Sequence, residues 1–101
     1  MTKNKFRNKK IGKYASKKES VHAGSLSFLE KIGQISDLRE QVKYELIPKQ
    51  AGERSVSYIA DFSFIRNGEL VVQDVKGMKT PVYVVKRKLM LWVHGIKIEE
   101  I

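Results

Sequence analysis

The sequence predicts an α/β fold: a single domain in the order αβββαβ, with a mixed central sheet flanked by helices. Three local signals support this. First, Asn67-Gly68, a strong two-residue hairpin signal, separates two strand-like segments at 57–65 and 70–77. Second, Ser16-Lys17-Lys18-Glu19 matches a helix capping box, with Ser16 as N-cap and Glu19 reaching back to its amide. Third, Thr80-Pro81 opens a second helix with proline at its first position.

The remaining elements follow in chain order. Residues 1–15 form a basic arm with few apolar anchors (Phe6, Ile11, Tyr14), and 16–101 form the folded domain. The first helix runs to about Ile32, with Val21, Leu26, Phe28, Leu29 and Ile32 as its apolar side and Gly33 as its stop. Gly24 suits close packing of that helix on a sheet. Residues 35–47 make the first strand, ended by Pro48, and 49–54 make a polar turn around Gly52. In the second helix Val82, Val85, Leu89, Trp92 and Val93 repeat at helical spacing and should face the core. Trp92 and Phe28 read as packing residues. His94-Gly95 ends the helix, and 96–98 make a short last strand.

Composition narrows the chemistry. With no cysteine, disulfides and thiolate metal sites are excluded. His22 and His94 are the only histidines, too few for a histidine-rich zinc site. No apolar run approaches the roughly 20 residues of a membrane span, so the expected address is the cytoplasm. The net charge of +9 is concentrated: residues 1–18 carry eight basic side chains and no acid, whereas the remainder is nearly neutral. A basic arm on a near-neutral domain is a footprint of nucleic-acid binding, and a solubilising tail is the plainer alternative.

The hairpin register carries the sharpest expectation. Counting outward from Arg66 opposite Glu69 places Asp61 opposite Asp74. Carboxylates so opposed have Cβ atoms about 5 Å apart and repel unless something holds them. A divalent metal, Mg²⁺ or Mn²⁺ on oxygen ligands, is the natural counter-charge. Lys76, two residues past Asp74, projects from the same face. Two acids and a lysine on one surface are the chemistry of a metal-dependent phosphodiesterase. The plainer readings are an exposed strand Asp61 and a surface Asp74–Lys76 ion pair worth roughly 0–1 kcal/mol.

Asp61 followed by Asp74-Val75-Lys76, within this order of elements, resembles the PD-(D/E)xK nuclease superfamily, whose fold is restriction-endonuclease-like. Ala60 stands where the superfamily name has proline. The blocks at 16–19, 29–35, Gln41, 58–62 and 74–77 are also similar to a family of small phage-encoded proteins and to the transposon nuclease subunit TnsA. The resemblance covers about 14–101. It implies that Asp61 and Asp74 hold the metal, that the Val75 carbonyl adds a ligand, and that Lys76 activates water and stabilises the transition state. It makes Glu19 a further ligand, against its role as a helix cap. It places Gln41 near the active site, against an edge-strand polar residue. Lys86 and Lys88 become DNA contacts, against a solvated helix face; Lys9, Lys10, Lys13, Lys17 and Lys18 join them from the arm and helix start.

The expected function is therefore a metal-dependent DNA endonuclease of phage or mobile-element origin, structure-selective in the manner of a Holliday-junction resolvase. Cutting both strands needs two active sites, which suggests a homodimer. The alternatives are a non-catalytic nucleic-acid-binding module and a nuclease subunit that depends on a recombination or transposition partner.

Overall fold

The computed structural model describes Tyr14 and residues 16–76 and 78–101. The arm expectations for Lys9, Lys10 and Lys13 lie outside these residues. The order is α1 (Lys17–Lys31), β1 (Ser36–Ile47), β2 (Val56–Arg66), β3 (Glu69–Asp74), α2 (Pro81–His94) and β4 (Glu99–Glu100). The strands form one mixed sheet, β1-β2-β3-β4, antiparallel except for the parallel β3–β4 pair. The chain is thus an α/β protein with the predicted order of elements.

Local chemistry sets the boundaries. Ser16 caps α1, its Oγ accepting from the Glu19 amide at 3.1 Å. Beyond α1, Gly33 takes φ 82°, a conformation that favours glycine, and turns the chain into β1. Thr80 caps α2, its Oγ1 accepting from the Tyr83 amide at 3.1 Å. Gly95 closes α2 in the left-handed conformation. Asn67 and Gly68 both have positive φ, as a type I′ hairpin turn requires. The β2–β3 ladder runs from Arg66↔Glu69 to Phe62↔Gln73 in the predicted register.

Two apolar clusters lie on opposite faces of the sheet. Val71 and Val72 are successive on β3 and must point to opposite sides. Val71 joins Ala23 and Leu26 of α1 with Ile35, Phe62 and Phe64. Val72 joins Tyr83 and Met90 of α2 with Leu46, Tyr58, Ala60 and Ile98. Ala60 and Phe62 would share a face in a regular strand, yet they belong to different clusters. The alternation therefore reverses between them, at Asp61. The partner strand is irregular at the same level: Gln41, between the pairs Glu40↔Phe62 and Val42↔Ala60, has φ 55°.

The helix faces depart from expectation. α1 buries Glu19, Ala23 and Leu26, while Val21, Phe28 and Ile32 are exposed. α2 buries Tyr83 and Met90, with Val84 and Leu89 partly packed, while Val82, Val85, Trp92 and Val93 are exposed. Each helix carries two apolar stripes at helical spacing, and only one meets the sheet. Phe28 and Trp92 are consequently not packing residues among the described contacts, and Gly24 faces open space with nothing near its missing Cβ. β3 stops at Asp74, three residues short of the predicted end. The last strand is 99–100 rather than 96–98, because Ile98 is committed to the core and the residues after it pair with β3.

This reversal has a direct consequence for stability. Met90→Ala should cost about 2–5 kcal/mol through lost burial and a cavity. Trp92→Ala, at low protein concentration, should stay within about 0.5 kcal/mol. Urea melts of both variants check the assignment of inner and outer faces.

Candidate active site

The predicted acids meet where the sheet splits. Regular β2–β3 pairing ends at Phe62↔Gln73, and the next step of that register is Asp61 opposite Asp74. From there β3 turns to β4, with Asp74 paired to Glu100 and its carbonyl accepting from the Ile101 amide at 2.9 Å. The freed Val75 amide donates to Asp61 Oδ2 at 2.9 Å. Antiparallel pairing thus brings the two carboxyl groups together and then releases the backbone around them.

Asp74 is 1% exposed, and Lys76 Nζ stands 3.0 Å from its Oδ2. Beyond this ion pair, Oδ2 is buried with no hydrogen-bond partner among the described residues. The Tyr58 hydroxyl is buried in the same condition. Burial first, and the adjacent Asp74 carboxylate second, hold the Tyr58 phenol far above the usual tyrosine range. The Asp74–Lys76 pair expected from the sequence is real, but it is not a surface pair, because its acidic half is shut from water.

Asp61 is half-buried. Desolvation and hydrogen bonding with Asp74 push its carboxyl up to about 7, against the lowering effect of the Val75 amide. The Asp74 and Glu19 charges add to the rise. Burial and a neighbouring acid both disfavour the charged form of a carboxyl group, which is why the shift is upward.

Glu19 reaches the neighbourhood from α1. It is 7% exposed, and its Oε2 accepts from Gln41 Nε2 at 3.4 Å. Glu19 and Gln41, far apart in sequence, thus converge beside Asp61. His22, one helical turn on, is bound to Gln73 at 2.6 Å and packs edge-on against Phe62. Gln73 in turn donates to Glu99, which is paired with Arg66. His22 is therefore a packing and hydrogen-bonding residue. His94 hydrogen-bonds the Glu45 carbonyl at 2.7 Å and ties the end of α2 to β1.

Three residues that sequence reasoning did not single out complete the setting: Tyr58, Tyr83 and Glu100. Lys76 Nζ lies 4.4 Å from the centre of the Tyr83 ring, so the ammonium is held between an aromatic face and Asp74. The Tyr83 hydroxyl donates to Glu100 at 2.7 Å, and Lys79 and Arg87 pair with the same carboxylate at 3.0 Å each. Hydrogen bonds from Tyr83, Lys79 and Arg87 hold the Glu100 carboxyl down at about 2. No local signal marks Tyr83 as a neighbour of Lys76. Its aromatic ring at core spacing reads equally well as packing.

The predicted basic contacts are spread over the fold. Lys17 is exposed, and Lys18 donates to the Ile101 carbonyl at 3.0 Å. Lys86 shares a shallow cleft with Lys76, Tyr58 and Tyr83, whereas Lys88 is exposed on the other side of α2.

Among the described residues, no three His, Asp or Glu side chains group closely enough to hold a metal by themselves. A two-carboxylate site still suits Mg²⁺, which keeps several waters and takes one or two carboxylates. Two neighbouring carboxyl groups, Asp74 buried beside Lys76 and Asp61 half-buried, are a donor set that fits this chemistry.

A family model described as "Protein of unknown function (DUF1064)" matches residues 3–97. No curated protein and no solved structure matches the chain.

Proposed function

This chain belongs to the DUF1064 family, and we propose that it is a Mg²⁺- or Mn²⁺-dependent DNA endonuclease hydrolysing phosphodiester bonds. The observation that carries the proposal is the meeting of Asp61, Asp74 and Lys76 at the split of β2 and β3, with Asp74 Oδ2 buried against the Lys76 ammonium. The resemblance to PD-(D/E)xK nucleases supports the same reading.

Asp61 and Asp74 would hold the ion, with the Val75 carbonyl as a further ligand. The ion, when bound, would lower the pKa of water and polarise the phosphate. Lys76 contributes a fixed positive charge next to the acids, positioned to orient the attacking water and to stabilise charge on the phosphorane-like transition state. The Tyr83 ring and Asp74 restrict where that ammonium can sit. Glu19, bound by Gln41, borders the acids as an additional carboxylate for the ion or its waters. Lys86 in the same cleft supplies charge for the DNA backbone, as do Lys17 and Lys88 and the arm lysines.

The test is incubation with supercoiled, linear, single-stranded and four-way-junction DNA in Mg²⁺, Mn²⁺ or EDTA. The proposal expects cleavage with either metal and none in EDTA; preference for the junction would mark a structure-selective enzyme. Metal binding without cleavage would favour a partner-dependent subunit. DNA binding with neither would favour a binding module.

The arm has its own expected result. Deleting residues 1–13 removes six of the eight basic side chains of residues 1–18. DNA affinity should fall, and the log–log salt slope should flatten by about 0.9 for each lost phosphate contact. Filter binding across a salt series measures both, and an unchanged slope would leave the arm a solubilising tail.

A further inference from the structure

The stripe of α2 that the core leaves out is large. Val82, Val85 and Trp92 are 64%, 55% and 86% exposed, and Val93 and Leu89 flank them. At the N-terminal end of this stripe an apolar groove of about 360 Å³ runs between α2 and the sheet, lined by Ile47, Val56, Pro81, Val82, Val85 and Leu89 with Lys86. At the other end Trp92 projects into solvent. A projecting indole and an apolar groove therefore lie on one surface, separated along one helix.

Val82, Val85, Leu89 and Trp92 follow the alternating three- and four-residue spacing of a coiled-coil seam. Laid antiparallel on a copy of itself about a two-fold axis, the seam pairs Val82 with the other copy's Trp92, and Val85 with the other copy's Leu89. Each layer matches a small side chain with a large one. The same operation brings each Trp92 to the groove end of the other α2. The exposed seam residues offer on the order of 500 Å² of apolar surface per copy, so pairing would remove about 1,000 Å² before groove walls and lysine stems are counted, the lower bound for a specific interface.

We propose that the outward face of α2 is a two-fold dimer interface, with Trp92 of each copy seated in the other copy's groove. The interface stands on this apolar surface alone and holds whatever the site at Asp61 and Asp74 does. Under the nuclease reading it would join the two active sites that double-strand cutting needs. Lys86 and Lys88 border the seam, and α2 carries no acid to offset them. Each copy's lysines oppose the other's, so salt, which screens that repulsion, tightens the dimer.

Trp92 is the sole tryptophan and reports the contact directly. Sedimentation equilibrium and tryptophan emission are measured together across a dilution series, in about 50 mM and 500 mM NaCl. A dimer of this area should dissociate in the micromolar range. Emission should shift to the blue in step with dimer mass, and at lower protein concentration in high salt. Val85→Glu should give a monomer with red-shifted emission and an intact helical spectrum, and Trp92→Ser should weaken the dimer at least tenfold. A wild-type chain that stays monomeric with exposed-tryptophan emission up to several hundred micromolar overturns the proposal and gives the stripe to a different partner. A dimer that survives Val85→Glu, or that forms without a blue shift, overturns it by placing the contact elsewhere.

Discussion

Asp74→Asn is expected to abolish metal-dependent DNA cleavage while leaving DNA binding intact or tighter. Asp74 is the most buried of the site's acids and forms the ion pair with Lys76. Under the nuclease reading, neutralising it would weaken the metal site and also remove a negative charge that repels phosphate. Lys76→Ala should abolish cleavage by a different route. On the same reading the ammonium would act on the nucleophile and the developing charge rather than on the ion, so metal binding should largely persist. Loss of one such group costs on the order of 10²–10³ in rate. Cleavage assays beside Mg²⁺ or Mn²⁺ titrations separate the two variants. Equal loss of metal affinity in both would remove the distinct role given to Lys76.

Asp61→Asn should make the metal-free protein more stable at pH 8 than the wild type. The Asp61 carboxyl is raised from the ordinary aspartate value to about 7. Below pH 4 it is protonated in both folded and unfolded chains, and its contribution to stability is fully present. Between about pH 4 and 7 the unfolded chain releases this proton while the folded chain keeps it, so stability falls with rising pH and levels off above 7. The group is only half-buried, and solvent screening reduces the effect to about 1–2 kcal/mol. Asparagine keeps an acceptor for the Val75 amide but carries no charge, so the variant should lose this slope. If Asp61 holds the ion as proposed, proton and metal compete for it, so in the wild type Mg²⁺ should raise the melting temperature more at pH 8 than at pH 6. In Asp61→Asn that metal-dependent rise should be lost at both values. Thermal melts in EDTA and in Mg²⁺ across this range check the sign. A stability difference between Asp61→Asn and wild type that does not grow from pH 4 to 7 in EDTA would contradict the assigned environment of Asp61.

Much of the arrangement was legible because it is local. The Asn67-Gly68 turn leaves the backbone one favoured register, and that register alone brings Asp61 to Asp74. Ser16, Thr80-Pro81 and Gly95 mark helix ends through hydrogen bonds and conformations confined to a few residues. Glu19 and Gln41 were singled out by resemblance to known blocks rather than by any local signal. Their meeting beside Asp61 depends on how α1 lies against β1.

The sequence by itself determined the order of elements, the hairpin register as far as Phe62 opposite Gln73, and most helix ends, because each follows from contacts between near neighbours in the chain. Tertiary structure alone decided which stripe of each helix is buried. In α2, Tyr83 with Met90 and Val82 with Val85, Leu89 and Trp92 satisfy the same helical spacing, and nothing local ranks them. The sheet presents Tyr58, Ala60 and Val72 to the first pair, packs Leu89 only in part, and leaves Val82, Val85 and Trp92 to solvent. Tertiary structure also decided that Tyr83 borders Lys76 and that β4 pairs at Gln73 and Asp74, since those contacts close long loops whose ends carry no mutual signature in the sequence.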